Sequence, residues 1–354
     1  MKSINYEYTI PGFVHRPGVH CTSTALRDIF EFNGLKMTEA MIFGLGGGMG
    51  MGYLKFRGQE PMIGGRQNNF EKNLAKIMNI RFKSFRTSKE EEGWNRLRNH
   101  LENGRPTAIN IDMAYLDYHD DLPSEDFHFG MHAVVVCGYN AANNTVLIAD
   151  TGFEEIQEIT VQRLTEGRNA KFNRWLDANN FIYEFDFSQD HPDLKTIIPK
   201  AIRNNGISLQ KSNRIMRLLG IHSGAQGIKK FSKDLDEWVD LSDNVLISRS
   251  RDVAGYISDY GTGGGFFRFL YSKFLKESAE IMEDKSLLEL SLYYEEVGQK
   301  WENVSEKIRK LPQVQDKAKL ILSIQKNIDS LIKKEIQGAV KLMNYSRFSE
   351  GKNN

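Results

Sequence analysis

The sequence predicts an α+β domain over residues 1–188 followed by an all-helical domain over residues 189–354. Three observations point there. The first half alternates helix-spaced apolar residues with short β-branched runs. The second half carries helical spacing almost throughout, and the polar stretch SQDHPDLK divides the two textures. A chain of 354 residues also has the length that about two ordinary domains need.

Taken in order, Cys21 to Asn33 sets Ala25, Ile29 and Phe32 at helical spacing and stops at Gly34. The run GLGGGMGMG, Gly44 to Gly52, is too glycine-rich for an element interior and reads as a close-packed turn near the Cys21 helix. Neither glycine-rich nucleotide fingerprint can be fitted to it, so a nucleotide site is excluded there. Asn68 to Met78 and Glu91 to Asn103 read as helices, the second closed by Gly104 and followed by Pro106. Pro106 to Ile111, Ala133 to Tyr139, Thr145 to Asp150 and Phe181 to Phe187 read as strands, with Asn140 to Asn144 as a hairpin connection. Asp112 to Met131 is a long acidic and aromatic loop, of a length that usually serves function. Beyond Asp190, the segments Lys195 to Asn204, Gly206 to Leu219, Phe266 to Met282, Ser286 to Ile308 and Val314 to Leu342 have apolar residues three and four apart.

Composition narrows the function. Lys+Arg at 47 against Asp+Glu at 46 lacks the basic excess of a non-specific nucleic-acid binder. No run of 18 apolar residues marks a membrane span, and the first residues carry no signal-peptide core, so a cytoplasmic location is expected. Two cysteines exclude a disulfide scaffold and a four-cysteine zinc site. The charge is uneven: a formal −5 up to Asp190 and +6 beyond it.

Three positions carry potential chemistry. Cys21 opens a helix, where the positive end of the dipole favours thiolate. His132 stands just before the strand AVVVCGY, and Asp150 ends the strand TVLIAD. If those strands pair as a hairpin, His132 and Asp150 meet at one end of it, giving a nucleophile, a base and an orienting carboxylate. Cys137 falls mid-strand among valines and reads as core. His119, Asp120, His128 and His132 can be arranged as metal ligands, but H-x-x-x-H across a loop is unspecific and no H-E-x-x-H helix exists. Neither a metal nor a cofactor is expected.

The stretches CTSTAL, MHAVVVCGYN and VLIADTG resemble the papain-like superfamily, and within it the branch that includes double-glycine-leader peptidases. The longer stretches HCTSTALRDIFEFNGLKMTEAMIFGLGGGMGMGYLKF and GTGGGFFRFLYSKFLKESAEIM are similar to the butirosin biosynthesis protein H-like family, over roughly residues 13 to 310. That resemblance implies a papain-like domain in the first half. It also implies an acyltransferase that moves an acyl group from an acyl-carrier-protein or similar thioester to a small-molecule amine through an acyl-cysteine, in secondary-metabolite (antibiotic) biosynthesis. Cys21 is then the nucleophile, His132 the base and Asp150 the orienting group. Papain-like enzymes usually place a Gln six residues before the cysteine, where this chain has His15. His15 and His20 are therefore the candidates for the oxyanion site and pocket, with the Cys21 backbone N–H as a second donor.

The same triad suits hydrolysis of a peptide or amide, and a non-catalytic binding protein on this fold is the third reading. The positive second half suits docking of an acidic carrier protein. Its long amphipathic helices also permit a homodimer.

Overall fold

The computed structural model describes residues 9–56, 60–120, 122, 127–172, 176–210 and 214–350. In chain order its elements begin with α1 (Cys21–Phe32), α2 (Glu39–Leu45), β1 (Met49–Leu54), β2 (Met62–Arg66), α3 (Phe70–Ile77) and β3 (Arg81–Phe85). Then come α4 (Glu90–Glu102), β4 (Thr107–Ile111), β5 (His132–Asn140), β6 (Thr145–Ala149), β7 (Gln157–Thr160), α5 (Val161–Asn169) and β8 (Ile182–Asp186). The remainder is α6 (Leu194–Gln210), α7 (Arg214–Leu218), β9 (Ile221–Ser223), α8 (Gly224–Asp234), α9 (Asp243–Ser258), α10 (Arg268–Met282), α11 (Lys285–Lys310) and α12 (Lys317–Glu350). The architecture is mixed α and β, with a sheet-containing first part and a helical last part. No described helix is long and apolar enough to cross a membrane.

The chain forms two compact units, one of residues up to Ile42 with Ile80–Asp190, the other of Phe43–Asn79 with His191–Asn354. A single cut at residue 188 therefore misses that Phe43–Asn79 is built with the second unit. The physical reason is strand pairing: β1 pairs antiparallel with β2 on one side and with β9 on the other, Tyr53 lying opposite Ile63 and His222. A three-residue strand about 170 positions downstream leaves no periodic trace in sequence.

In the first unit, a six-stranded sheet runs in the order β3-β8-β4-β5-β6-β7, each pair antiparallel. The expected hairpin is present, with β5 and β6 joined by a turn in which Asn140 pairs with Thr145. Asn144 takes the left-handed backbone (φ 55°) that Asn tolerates there. Val134, Val136, Val146 and Ile148 alternate onto one face of that hairpin and join Leu97, Leu101, Ile109, Ile111 and Leu164 in the core. α1 lies against β5 and is buried from Thr22 to Phe30, polar residues included. Such burial is stable only if Arg27 and Asp28 find partners, and both do.

In the second unit, part of the glycine run is strand rather than turn: Gly50 and Gly52 lie in β1. A Cβ on Gly50 would lie 2.8 Å from the Arg66 backbone, and Gly44, Gly46 and Gly48 press against the rings of Phe274, Phe70 and Phe43. These glycines serve close packing against second-unit side chains instead of a turn at the Cys21 helix. Among the described residues after Asp190, every regular element is helical apart from β9. The two helices expected from Lys195 to Leu219 are one long helix, α6, running through Gly206, followed by the short α7. Gly206 sits where α6 crosses α12, its missing Cβ leaving room for the Ala339 carbonyl. The GTGGGFF stretch holds Phe266 and Phe267 in left-handed backbone (φ 56° and 70°). The buried Arg268 clamps it by donating to the Phe266 carbonyl at 2.6 Å and pairing with the equally buried Glu335 at 2.8 Å.

Candidate active site

Cys21 is the first residue of α1, half-buried, with His20 as the helix N-cap. The first turn is held from outside by Glu39 at the start of α2. Its carboxylate accepts from the backbone N–H of His20 at 2.8 Å and of Val19 at 3.1 Å, and from the hydroxyls of Ser23 at 2.9 Å and Thr24 at 3.2 Å. Gly18 permits this approach, since a Cβ there would meet Thr24 and Glu39 at 2.0 and 2.8 Å. The thiol is thus fixed by a capped helix start with four donors satisfied by one carboxylate.

His132 opens β5 opposite Ile111 of β4, and Asp150 follows the last residue of β6. Because the strands are consecutive and antiparallel, their open ends coincide. His132 Nε2 donates to Asp150 Oδ1 at 2.8 Å, with both side chains buried. On its other side His132 hydrogen-bonds the Cys21 thiol. With Nε2 committed to Asp150, Nδ1 is the ring nitrogen left for sulfur. The three sequence-selected residues are therefore brought together.

The electrostatics follow from burial and charge. Burial opposes charging His132, but the Asp150 charge and hydrogen bond, with smaller help from Cys21, outweigh it and hold the imidazole pKa up at about 10. Asp150 is likewise opposed by burial, yet His132 and His119 hold its carboxyl well below the usual range. A charged imidazole beside the sulfur favours its thiolate form, the state that attacks carbonyl carbon. Cys137 is the opposite case. It is buried in β5 among valines, burial pushes its thiol up, and it lies against the Leu147 carbonyl at 3.5 Å.

The structure places the two remaining predicted residues elsewhere. His15 is not an oxyanion donor. Its Nδ1 pairs with Asp28 Oδ2 at 2.5 Å, and its Nε2 faces the carbonyls of Phe153 at 2.9 Å and Asp150 at 3.1 Å. Asp28 in turn holds Arg27 at 2.8 Å. His15 thus ties helix α1 to the turn that carries Asp150, and no ring nitrogen is left for a substrate. His20 caps its helix, its Nδ1 accepting from the Ser23 N–H at 3.2 Å. The His15 ring therefore does not take the place of the missing Gln, and the His20 ring is committed through Nδ1 to its own first turn.

Two residues on the Asp112–Met131 loop reach Asp150: Tyr118, which the sequence does not single out, and His119, which it offers only as a metal-ligand candidate. Tyr118 donates to Asp150 Oδ2 at 3.0 Å and His119 Nε2 at 2.9 Å, so the carboxylate carries a second imidazole. The Thr151 N–H adds a further bond, to Oδ1 at 2.6 Å. For Tyr118 the only signal is the loop's length and aromatic content. Residues 121 and 123–126 of that loop lie outside the described residues. His119, His132 and Asp150 each offer a ligand atom within 4.8 Å of the others, and are the group among the described residues able to hold a metal ion. His128 is apart from them, paired with Asp112 at 2.8 Å.

Two family models match the chain. Residues 20–151 match the one described as butirosin biosynthesis protein H, N-terminal, and residues 162–342 match one described as a domain of unknown function (DUF4872). The first match spans Cys21, His132 and Asp150 and stops short of His15. No curated protein matches the chain.

Proposed function

Because the chain belongs to the butirosin biosynthesis protein H-like family, we propose that it is a biosynthetic enzyme that transfers an acyl group from a carrier thioester to an amine through Cys21. Membership of that family supports a role in butirosin-type biosynthesis. The observation that carries the chemistry is the run Cys21, His132, Asp150, with His132 bonded to the buried Asp150 at 2.8 Å and Cys21 on its other side.

The thiolate attacks the thioester carbonyl, the carbonyl–sulfur bond of the donor breaks, and the departing carrier thiolate takes the proton from His132 Nδ1. His132, now neutral, accepts a proton from the amine as it attacks the acyl-cysteine. The Cys21–carbonyl bond breaks, and the thiolate–imidazolium pair is restored with an amide released. Asp150 keeps the ring oriented and supports its charge throughout. His15, committed to Asp28 and two carbonyls, leaves the Cys21 backbone N–H as the oxyanion donor nearest the sulfur. One donor fewer costs on the order of 3 kcal/mol of transition-state stabilisation. A thioester tolerates that loss better than an amide, because thiol-for-thiol exchange starts near balance, and this favours transfer over peptide cleavage.

Incubation with a short-chain acyl N-acetylcysteamine thioester, followed by intact-protein mass spectrometry, tests the reading. One acyl group on Cys21 is expected in the wild type and none in Cys21→Ala. An unmodified wild-type thiol under these conditions overturns it.

A further inference from the structure

His119 takes no part in the steps above, yet it sits on the same carboxylate as the base, with its side chain 10% exposed and Asp150 fully buried. Its Nε2 and that of His132 approach the two oxygens of Asp150 at 2.9 and 2.8 Å, and the two rings meet edge to face with centroids 5.7 Å apart. Two imidazoles and one carboxylate form a donor set that suits zinc, three protein ligands leaving a fourth position for water. Ligand bonds of roughly 2.0–2.2 Å at tetrahedral angles put donor atoms about 3.3 Å apart. Each nitrogen–oxygen separation needs an opening of only about half an ångström, and the two nitrogens lie within 4.8 Å of each other.

We propose that His119, His132 and Asp150 form a zinc site that switches the Cys21 centre off. The ion replaces the protons that the two Nε2 atoms share with Asp150, and these pass to solvent or, for His119, to its own Nδ1. His132 then keeps one proton, on Nδ1 beside the sulfur, and both its ring lone pairs are engaged. The carrier thiolate then leaves as the anion and is protonated by solvent, because the zinc-bound ring does not give up its last proton, and the same ring cannot accept the proton of an incoming amine, so the acyl-cysteine forms and stalls. The binding site stands without the proposed function; the stalling rests on it.

The test uses the full chain stripped by a chelator and titrated with Zn²⁺ in competition with a chromogenic zinc indicator. One equivalent is expected to bind the wild type, and equally Cys21→Ser. His119→Asn keeps an N–H donor for Asp150 but offers no imidazole, and should bind at least about 100-fold more weakly. His119→Cys, which restores a ligating atom, should recover most of that loss. No competition by the wild type, full affinity in His119→Asn, equal loss in both His119 variants, or loss in Cys21→Ser would each overturn the site. On acylated enzyme, saturating zinc should slow amine-dependent release at least about 10-fold. Release unaffected by bound zinc overturns the switch while leaving the site.

Discussion

Replacing Asp150 with Asn removes one charge from the site while keeping its shape, and the outcome can be worked from the geometry. In the wild type the Asp150 charge and its 2.8 Å bond outweigh burial and set the His132 pKa at about 10, so at pH 7 the imidazole is almost wholly charged. Without that charge only the smaller help from Cys21 stands against burial, and the imidazole titrates well below its wild-type value. Cys21 then loses its cationic partner and returns towards a free thiol with a pKa of about 8.5, of which roughly 3% is thiolate at pH 7. Iodoacetamide labelling of Cys21, resolved from Cys137 by peptide mapping, should slow about 30-fold at pH 7. The wild-type rate should be level from about pH 6 to 9, and the variant rate should climb with thiol ionisation near 8.5. A variant rate within twofold of wild type at pH 7 would refute the electrostatic reasoning, because the carboxylate would not be sustaining the pair.

Further outcomes follow from the same contacts. Asp150 has a lowered folded pKa, so its contribution to stability is present above the ordinary carboxylate value of 3.8 and lost as pH falls through the folded one. Thermal melts should show an acid-side loss that Asp150→Asn lacks. His132 has the opposite sign: its contribution is full below 6.5 and gone as pH rises through about 10. An unfolded Cys21 releases its own proton near about 8.5, so the pair's net loss falls between about 8.5 and 10, and Tm in His132→Gln should be flatter there. Glu39→Ala strips the partner from two backbone N–H groups and two hydroxyls at the start of α1. A cost of about 1–3 kcal/mol in chemical denaturation is expected, with slower Cys21 labelling. Glu335→Ala leaves the fully buried Arg268 unpaired, and should cost about 3–5 kcal/mol.

What the sequence revealed depended on whether a contact leaves a periodic trace. The β5–β6 hairpin was legible because valines alternate with an asparagine-rich turn between them, and that alone sets His132 beside Asp150. The helix start at Cys21 was legible from apolar spacing and from the stop after Phe32. The role of His15 was not, since its partners are two carbonyl oxygens and a carboxylate on a helix, and main-chain acceptors look alike in any sequence. Tyr118 and His119 lie on an aperiodic loop, so nothing local points them at Asp150. The strand pairing that places Phe43–Asn79 in the second unit joins β1 to three residues far downstream, Ile221–Ser223, and that distance hides it.

The central claim, a Cys21 acyl-enzyme resolved by an amine, is tested most directly by the fate of that acyl group. Acylated protein is freed of excess thioester and divided, one half in buffer and the other with a primary amine, and the products are quantified by mass. Release as amide, accelerated in proportion to amine concentration and slow in buffer alone, is the predicted result. Release as free acid at one rate in both halves would make the protein a hydrolase and contradict the account.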